Sequence, residues 1–239
     1  MTQGPSTPAI VMRGVSVGIA GAAGALCDLN LRLEPGSLLA FCAPRPERET
    51  FLALLSRRIA PERGSVCLFG RDLWLLGPDE ARRIVTRIRP WDNADAGLSP
   101  WQIVSRACLP EGRLWGTVKA PRDRDRIAEA LHRMDLTRQA SQNAASLTGE
   151  ERQRVMIAQA LVHRPGILLC DLSSGGFPGS AGDAGRGMRL PGALRDEGVT
   201  LVVTLAGPES ARGVADLILA PGQEPSSGET YEIPLSLTG

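Results

Sequence analysis

Residues 42–50, Cys42-Ala43-Pro44-Arg45-Pro46-Glu47-Arg48-Glu49-Thr50, lie between an apolar strand-like run, Ser37 to Phe41, and an apolar helix-like run beginning at Phe51. Strand, tight loop and helix in that order commonly cradle phosphate at the helix start. Such a cradle needs glycines, which let the backbone close into a nest of N–H donors, and a lysine to neutralise phosphate charge. Residues 42–50 contain neither. Pro44 and Pro46 each remove a donor, and Glu47 and Glu49 would point negative charge at an anion. Arg48 offers a rigid planar fork in place of a compact ammonium. The chain's only lysine is Lys119. A second candidate group is Asp171, which ends the apolar run Ile167-Leu168-Leu169-Cys170. It suits a turn acid at a strand end as well as a ligand to a divalent cation. Leu172 follows it and cannot accept a proton.

Composition narrows the class. With 239 residues, 43% of them hydrophobic and 22% charged, the chain is long enough to bury a full core. A net charge of +1 without a lysine or arginine block argues against nucleic acid as a partner. Five cysteines without paired spacing fit a reducing compartment, and with only two histidines, His132 and His163, no metal site is expected. Residues 13–27 imitate the basic and apolar regions of a signal peptide, but Leu26 is too large to flank a cleavage site. A strand, a glycine-rich turn and a second strand alternating Leu29, Leu31, Leu33 account for them better. No apolar run approaches the ~18 residues of a membrane span.

The elements that would position these groups follow in order. Ser37 to Phe41 reads as a buried strand; Phe51, Leu52, Leu54, Leu55 and Ile59 form a helical stripe; Ser65 to Gly70 is a strand and turn. Pro78 opens a basic helix, and Arg89 to Asp95 reads as a polar loop. Helical patterning runs from Pro100 to about Ala140 and again from Gly149 to Val162, stopped by Pro165-Gly166. The runs 167–171 and 199–204 suit parallel strands covered on both faces. An α/β core interrupted by a helical lobe is expected.

The segment Leu147-Thr148-Gly149-Glu150-Glu151-Arg152-Gln153-Arg154-Val155 resembles the signature sequence of ABC transporter nucleotide-binding subunits. With Walker-like elements before and after it, the resemblance covers nearly the whole chain. It implies an α/β, P-loop NTPase-like ABC ATPase core with a parallel-rich sheet, an N-terminal antiparallel β portion and an inserted helical subdomain. The expected organisation is a single domain over 1–239, with a core lobe at 1–88 and 151–239 and the helical subdomain at about 89–150. The stretch from Leu109 to Leu136 is similar to the helical lobe of importers for iron chelates, haem and cobalamin, although Glu111 replaces a histidine of that pattern.

The resemblance also assigns positions. Arg48 falls at the Walker A lysine, Glu49 at the magnesium-binding hydroxyl and Thr50 next to it, while Cys42, Arg45 and Glu47 replace glycines. Asp171 keeps the Walker B acid. Leu172 stands at the catalytic-base position, Leu205 at the switch-histidine position, Pro90 near the expected glutamine and Pro178 at the D-loop aspartate. The adenine-stacking aromatic expected near Val17 to Ile19 is missing. Leu147, Thr148, Gly149, Glu150 and Glu151 form the signature, where Glu150 and Glu151 would repel phosphate. Thr148 and Glu151 also make a capping box. Losing one preorganised catalytic donor costs ~10²–10³ in rate, and here several are replaced together.

The expectation is therefore a catalytically degenerate subunit, with ATP and magnesium as ligands only if residual binding persists. It would pair with an intact ABC ATPase subunit or with itself, dock on an integral-membrane transporter subunit, and lie on the cytoplasmic face of the membrane. Two alternatives are an active ATPase working through Arg48, Thr50 and Asp171, and a stand-alone scaffold or regulatory protein that reuses the fold.

Overall fold

In a computed structural model, the structure describes residues 7–18, 22–109, 120–172 and 184–220. In chain order the strands are Ile10–Val17 (β1), Leu26–Leu33 (β2), Leu38–Cys42 (β3), Arg63–Leu68 (β4), Arg71–Asp72 (β5), Val85–Arg87 (β6), Ile167–Asp171 (β7), Thr200–Leu205 (β8) and Leu217–Leu219 (β9). The α-helices are Arg45–Leu55 (α1), Pro78–Ile84 (α2), Pro100–Ser105 (α3), Pro121–Arg133 (α4), Gly149–Leu161 (α5) and Ala184–Asp196 (α6).

Alternating strands and uniformly apolar strands go to different sheets. The strands β1 and β2 bury every second residue or so, and they belong to an antiparallel sheet ordered β2-β1-β4-β5. The strands β3, β7 and β8 are apolar almost throughout and sit inside a parallel sheet ordered β6-β7-β8-β3-β9. A parallel strand covered on both faces has no use for a polar side. The α/β architecture, the parallel-rich sheet and the N-terminal antiparallel portion all match the expectation from sequence.

The two faces of the parallel sheet bury different partners, because side chains alternate along a strand. Leu38, Ala40 and Cys42 of β3, Leu168 and Cys170 of β7, and Leu201, Val203 and Leu205 of β8 join Ile103, Ile127, Leu131, Val155 and Met156 of the helices α3, α4 and α5. Leu39, Phe41, Leu169 and Val202 face the other way, into a core with Phe51 and Leu52 of α1 and the antiparallel sheet. There the rings of Phe41 and Phe51 stack with centroids 4.0 Å apart. Each fully buried side chain of this size contributes about 1.5–3 kcal/mol, and a one-residue slip of β3 would exchange the two sets.

The region 42–50 differs from the sequence reading. Instead of a nine-residue loop, only Ala43 and Pro44 separate the end of β3 from α1, which begins at Arg45. Pro44 is the N-cap, a second proline occupies the first turn, and Glu47 adds an acid there. Proline's fixed φ suits a first helical turn, and a carboxylate there is favoured by the helix dipole. The prolines that remove N–H donors from a loop therefore start a helix early. None of Ala43 to Thr50 has a positive φ.

Candidate functional site

The carboxyl ends of β7, β8 and β3 lie side by side, with Asp171 opposite Thr204 and Cys42 opposite Leu205. In open α/β sheets, ligands bind outside these strand ends. The edge is closed by backbone bonds: Ala43 N–H donates to the Leu205 carbonyl at 3.2 Å, and Leu172 N–H donates to the Thr204 carbonyl at 3.2 Å. Leu172 and Leu205, the positions of the expected base and switch histidine, are 4% and 3% exposed and belong to the apolar core.

Arg48 does not project outward from the helix start. It is 6% exposed, and its Nη1 donates back to the Ala43 carbonyl at 2.6 Å, while its own N–H bonds the Pro44 carbonyl at 3.2 Å. A guanidinium spent on the preceding backbone acts as a side-chain brace across the strand–helix junction. Its Nε is buried without a partner among the described residues.

The neighbouring acids are also engaged. Glu47 Oε1 accepts the Gly24 N–H at 3.1 Å, which ties the first turn of α1 to the turn between β1 and β2. Gly24 has φ +82°, and a Cβ there would stand 3.2 Å from Thr50 Oγ1 and 3.3 Å from the Pro46 ring, so glycine is required for this approach. Glu49 accepts from Arg45 Nε at 2.8 Å one turn earlier. That hydrogen bond, with lesser attraction from Asp171, raises Arg45 above the ordinary arginine value. Asp171 Oδ1 accepts the hydroxyl of fully buried Thr204 at 3.0 Å. Burial, with help from Glu209, pushes the Cys42 thiol up to about 11, which makes it a poor nucleophile. Around the junction, two arginines (Arg45 and Arg48) face three carboxylates (Glu47, Glu49 and Asp171). Among the described residues no group of three or more His, Cys, Asp or Glu side chains could hold a metal ion.

The signature residues stand apart on α5. Thr148 caps the helix: its Oγ1 accepts the Glu151 N–H at 3.2 Å, and Glu151 Oε2 accepts the Thr148 N–H at 2.8 Å. Gln139 Nε2 donates to the other Glu151 oxygen at 3.0 Å. The bonds from Thr148, then Gln139, hold the Glu151 carboxyl below its ordinary value. Glu150 pairs with Arg154 at 2.5 Å, Leu147 is buried, and Gly149 is exposed as the first helical residue. Of the two acids that replace signature residues, Glu150 is paired with a cation on its own helix, while Glu151 is held ionised by neutral donors from the cap and its flank.

Structure thus gathers Cys42, Arg45, Arg48, Asp171, Leu172 and Leu205 at one sheet edge and leaves residues 147–151 on a separate element. Ile19, the helical-lobe residues Pro110, Glu111 and Lys119, and the D-loop position Pro178 lie outside the described residues. One participant, Gly24, was missed from sequence, although its glycine-rich turn carried a signal. Arg48 was singled out, but its burial had no signal beyond the prolines beside it.

Comparison with known proteins agrees with this architecture. Over 152 residues the chain is 33% identical to the lipoprotein-releasing system ATP-binding protein LolD of Pseudomonas fluorescens, covering 63% of this chain and 66% of that protein. Over 212 residues it is 29% identical to the methionine import ATP-binding protein MetN of Xanthomonas campestris pv. campestris, covering 87% of this chain and 62% of that protein. The matched region thus spans less than two thirds of these relatives' own length. The fold is similar to a nucleotide-free ATP-binding cassette from an ABC transporter, with a TM-score of 0.74 at 14% identity over 89% of this chain and 87% of that one. It is also similar to cbiO1 from Clostridium perfringens, with a TM-score of 0.71 at 19% identity over 90% of this chain and 84% of that one. The family model for ABC transporters matches residues 27–172, which include both the β3–α1 junction and the signature. The chain belongs to the ABC transporter family.

Proposed function

We propose that this chain is a non-hydrolysing ABC subunit, a partner that contributes shape to a transporter complex while an intact ATPase subunit supplies the chemistry. The observation that carries this reading is the placement of Arg48: the one cation at the Walker A lysine position is buried and bonded to the Ala43 carbonyl. A polyphosphate would meet a helix start whose first turn contains proline and Glu47 and no left-handed residue. These residues do not fit ATP and magnesium, and no catalytic step is assigned to them. Leu172 and Leu205 provide no proton acceptor and no switch.

In the arrangement the resemblance implies, the intact partner's Walker loops would face Leu147 to Glu151 of this chain. The capping box holds that helix start in place, and Arg154 offsets the charge of Glu150. The described residues contain no helix long and apolar enough to cross a membrane, so the chain would reach the cytoplasmic face through an integral-membrane subunit. Iron-chelate, haem or cobalamin uptake is the substrate class proposed, resting only on the sequence between Leu109 and Leu136.

Phosphate release from magnesium and ATP by the purified chain tests the proposal. No release above background is expected, with no difference in Asp171→Ala. Release that disappears in Asp171→Ala would identify an active ATPase with an atypical site.

A further inference from the structure

We propose that Asp95 is an internal clamp that fixes the helical subdomain to the parallel sheet. It lies in the segment joining β6 to α3, and the clamp acts whether or not the chain turns over ATP. Asn93 and Ala94 beside it are exposed, yet Asp95 is 0% exposed. Its carboxylate binds in two directions. Oδ2 accepts from Arg89 Nη2 at 2.6 Å and from the Asp92 N–H at 3.1 Å; Oδ1 accepts from Arg106 Nη1 at 2.5 Å.

The two arginines belong to opposite sides of the junction. Arg89 follows Ile88, whose N–H donates to the Leu169 carbonyl of β7 at 2.8 Å, so Arg89 is fixed to the sheet. Arg106 caps the far end of α3, in the helical subdomain. Two further ties act on the same segment: the Arg152 guanidinium of α5 lies 5.4 Å from the centroid of the Trp91 ring, and the Leu98 carbonyl accepts the Ala144 N–H at 2.7 Å.

A dry carboxylate is stable only while its cations stay in place, and removing one leaves an uncompensated buried charge. Swinging α3 away from β6 would separate Arg106 from Asp95 and leave the carboxylate with only Arg89 and the Asp92 N–H. The clamp therefore adds a polar tie to the apolar core that α3, α4 and α5 share with the sheet, and removing it loosens the joint.

Pulsed electron-spin distance measurements on the full chain test this. One label goes on native Cys27, exposed in β2, and the other on Asp125→Cys, exposed in α4, with Cys67 and Cys108 replaced by serine. The parent should give one narrow distance. Asp95→Asn and Arg106→Gln should each broaden it, and the double variant should be no broader than the wider single. A folded single variant that keeps the parent's distribution would overturn the clamp. If Asp95→Asn does not fold, Arg89→Gln takes its place with the same two outcomes, since the Arg89 side chain is already 38% exposed.

Discussion

Arg48 reaches back over its own helix start and donates to the Ala43 carbonyl at 2.6 Å. A lysine serving a phosphate would project toward solvent and ligand; this arginine is part of the core's edge. Its removal should therefore register as lost stability. Arg48→Ala is predicted to destabilise the chain by about 1–3 kcal/mol, the cost of leaving a buried acceptor unpaired. Urea denaturation reads the change, and an unmoved midpoint would show that the brace carries no load.

Asp171 makes the same argument at the neighbouring strand end. Asp171→Ala takes the acceptor from the buried Thr204 hydroxyl and should cost about 1–3 kcal/mol. Asp171→Asn keeps an oxygen there and should lose less. Thermal melting of the two variants gives the order, and equal losses would contradict a structural role for that hydrogen bond.

Supplying the missing base should not restore activity. Leu172 is 4% exposed within the helical-side core, so Leu172→Glu places a carboxylate where no partner awaits it. A destabilisation above about 2 kcal/mol is predicted, measurable by chemical denaturation, with no gain in phosphate release. A stable variant that hydrolyses ATP would refute this.

The cap of α5 gives a pH signature. Thr148→Ala should lose about 1 kcal/mol. The folded-state pKa of Glu151 is lowered by its bonds from Thr148 and Gln139, so around the ordinary glutamate value the unfolded chain binds more protons. The contribution of Glu151 is full above that value and is lost as pH falls through the lower folded one. Acid titration of stability should therefore show a smaller decline for Glu151→Gln than for the parent. Superimposable curves would remove Glu151 from the cap.

Much of the fold was legible because its determinants are local. The apolar runs at β3, β7 and β8 announce strands covered on both faces, and Thr148 followed by Glu151 announces the start of α5; both features form. The candidate site was legible by position but not by geometry. Pro46 and Glu47 are ordinary first-turn residues, yet an expected loop hid that reading, and α1 begins at Arg45. Glu47 takes a partner fixed by tertiary approach, on a turn 23 residues away, while Arg48 turns back onto the local Ala43 carbonyl. Asp95, read as part of a polar loop, is buried because arginines 6 and 11 residues away converge on it. Nothing in local periodicity encodes such a meeting.

Calorimetric titration of the purified chain with magnesium and ATP tests the central claim most directly. No saturable heat is predicted up to about 1 mM nucleotide, because the position that would receive phosphate is already braced by Arg48. Saturable binding that vanishes in folded Arg48→Ala would contradict the account and mark residues 42–50 as a working phosphate loop.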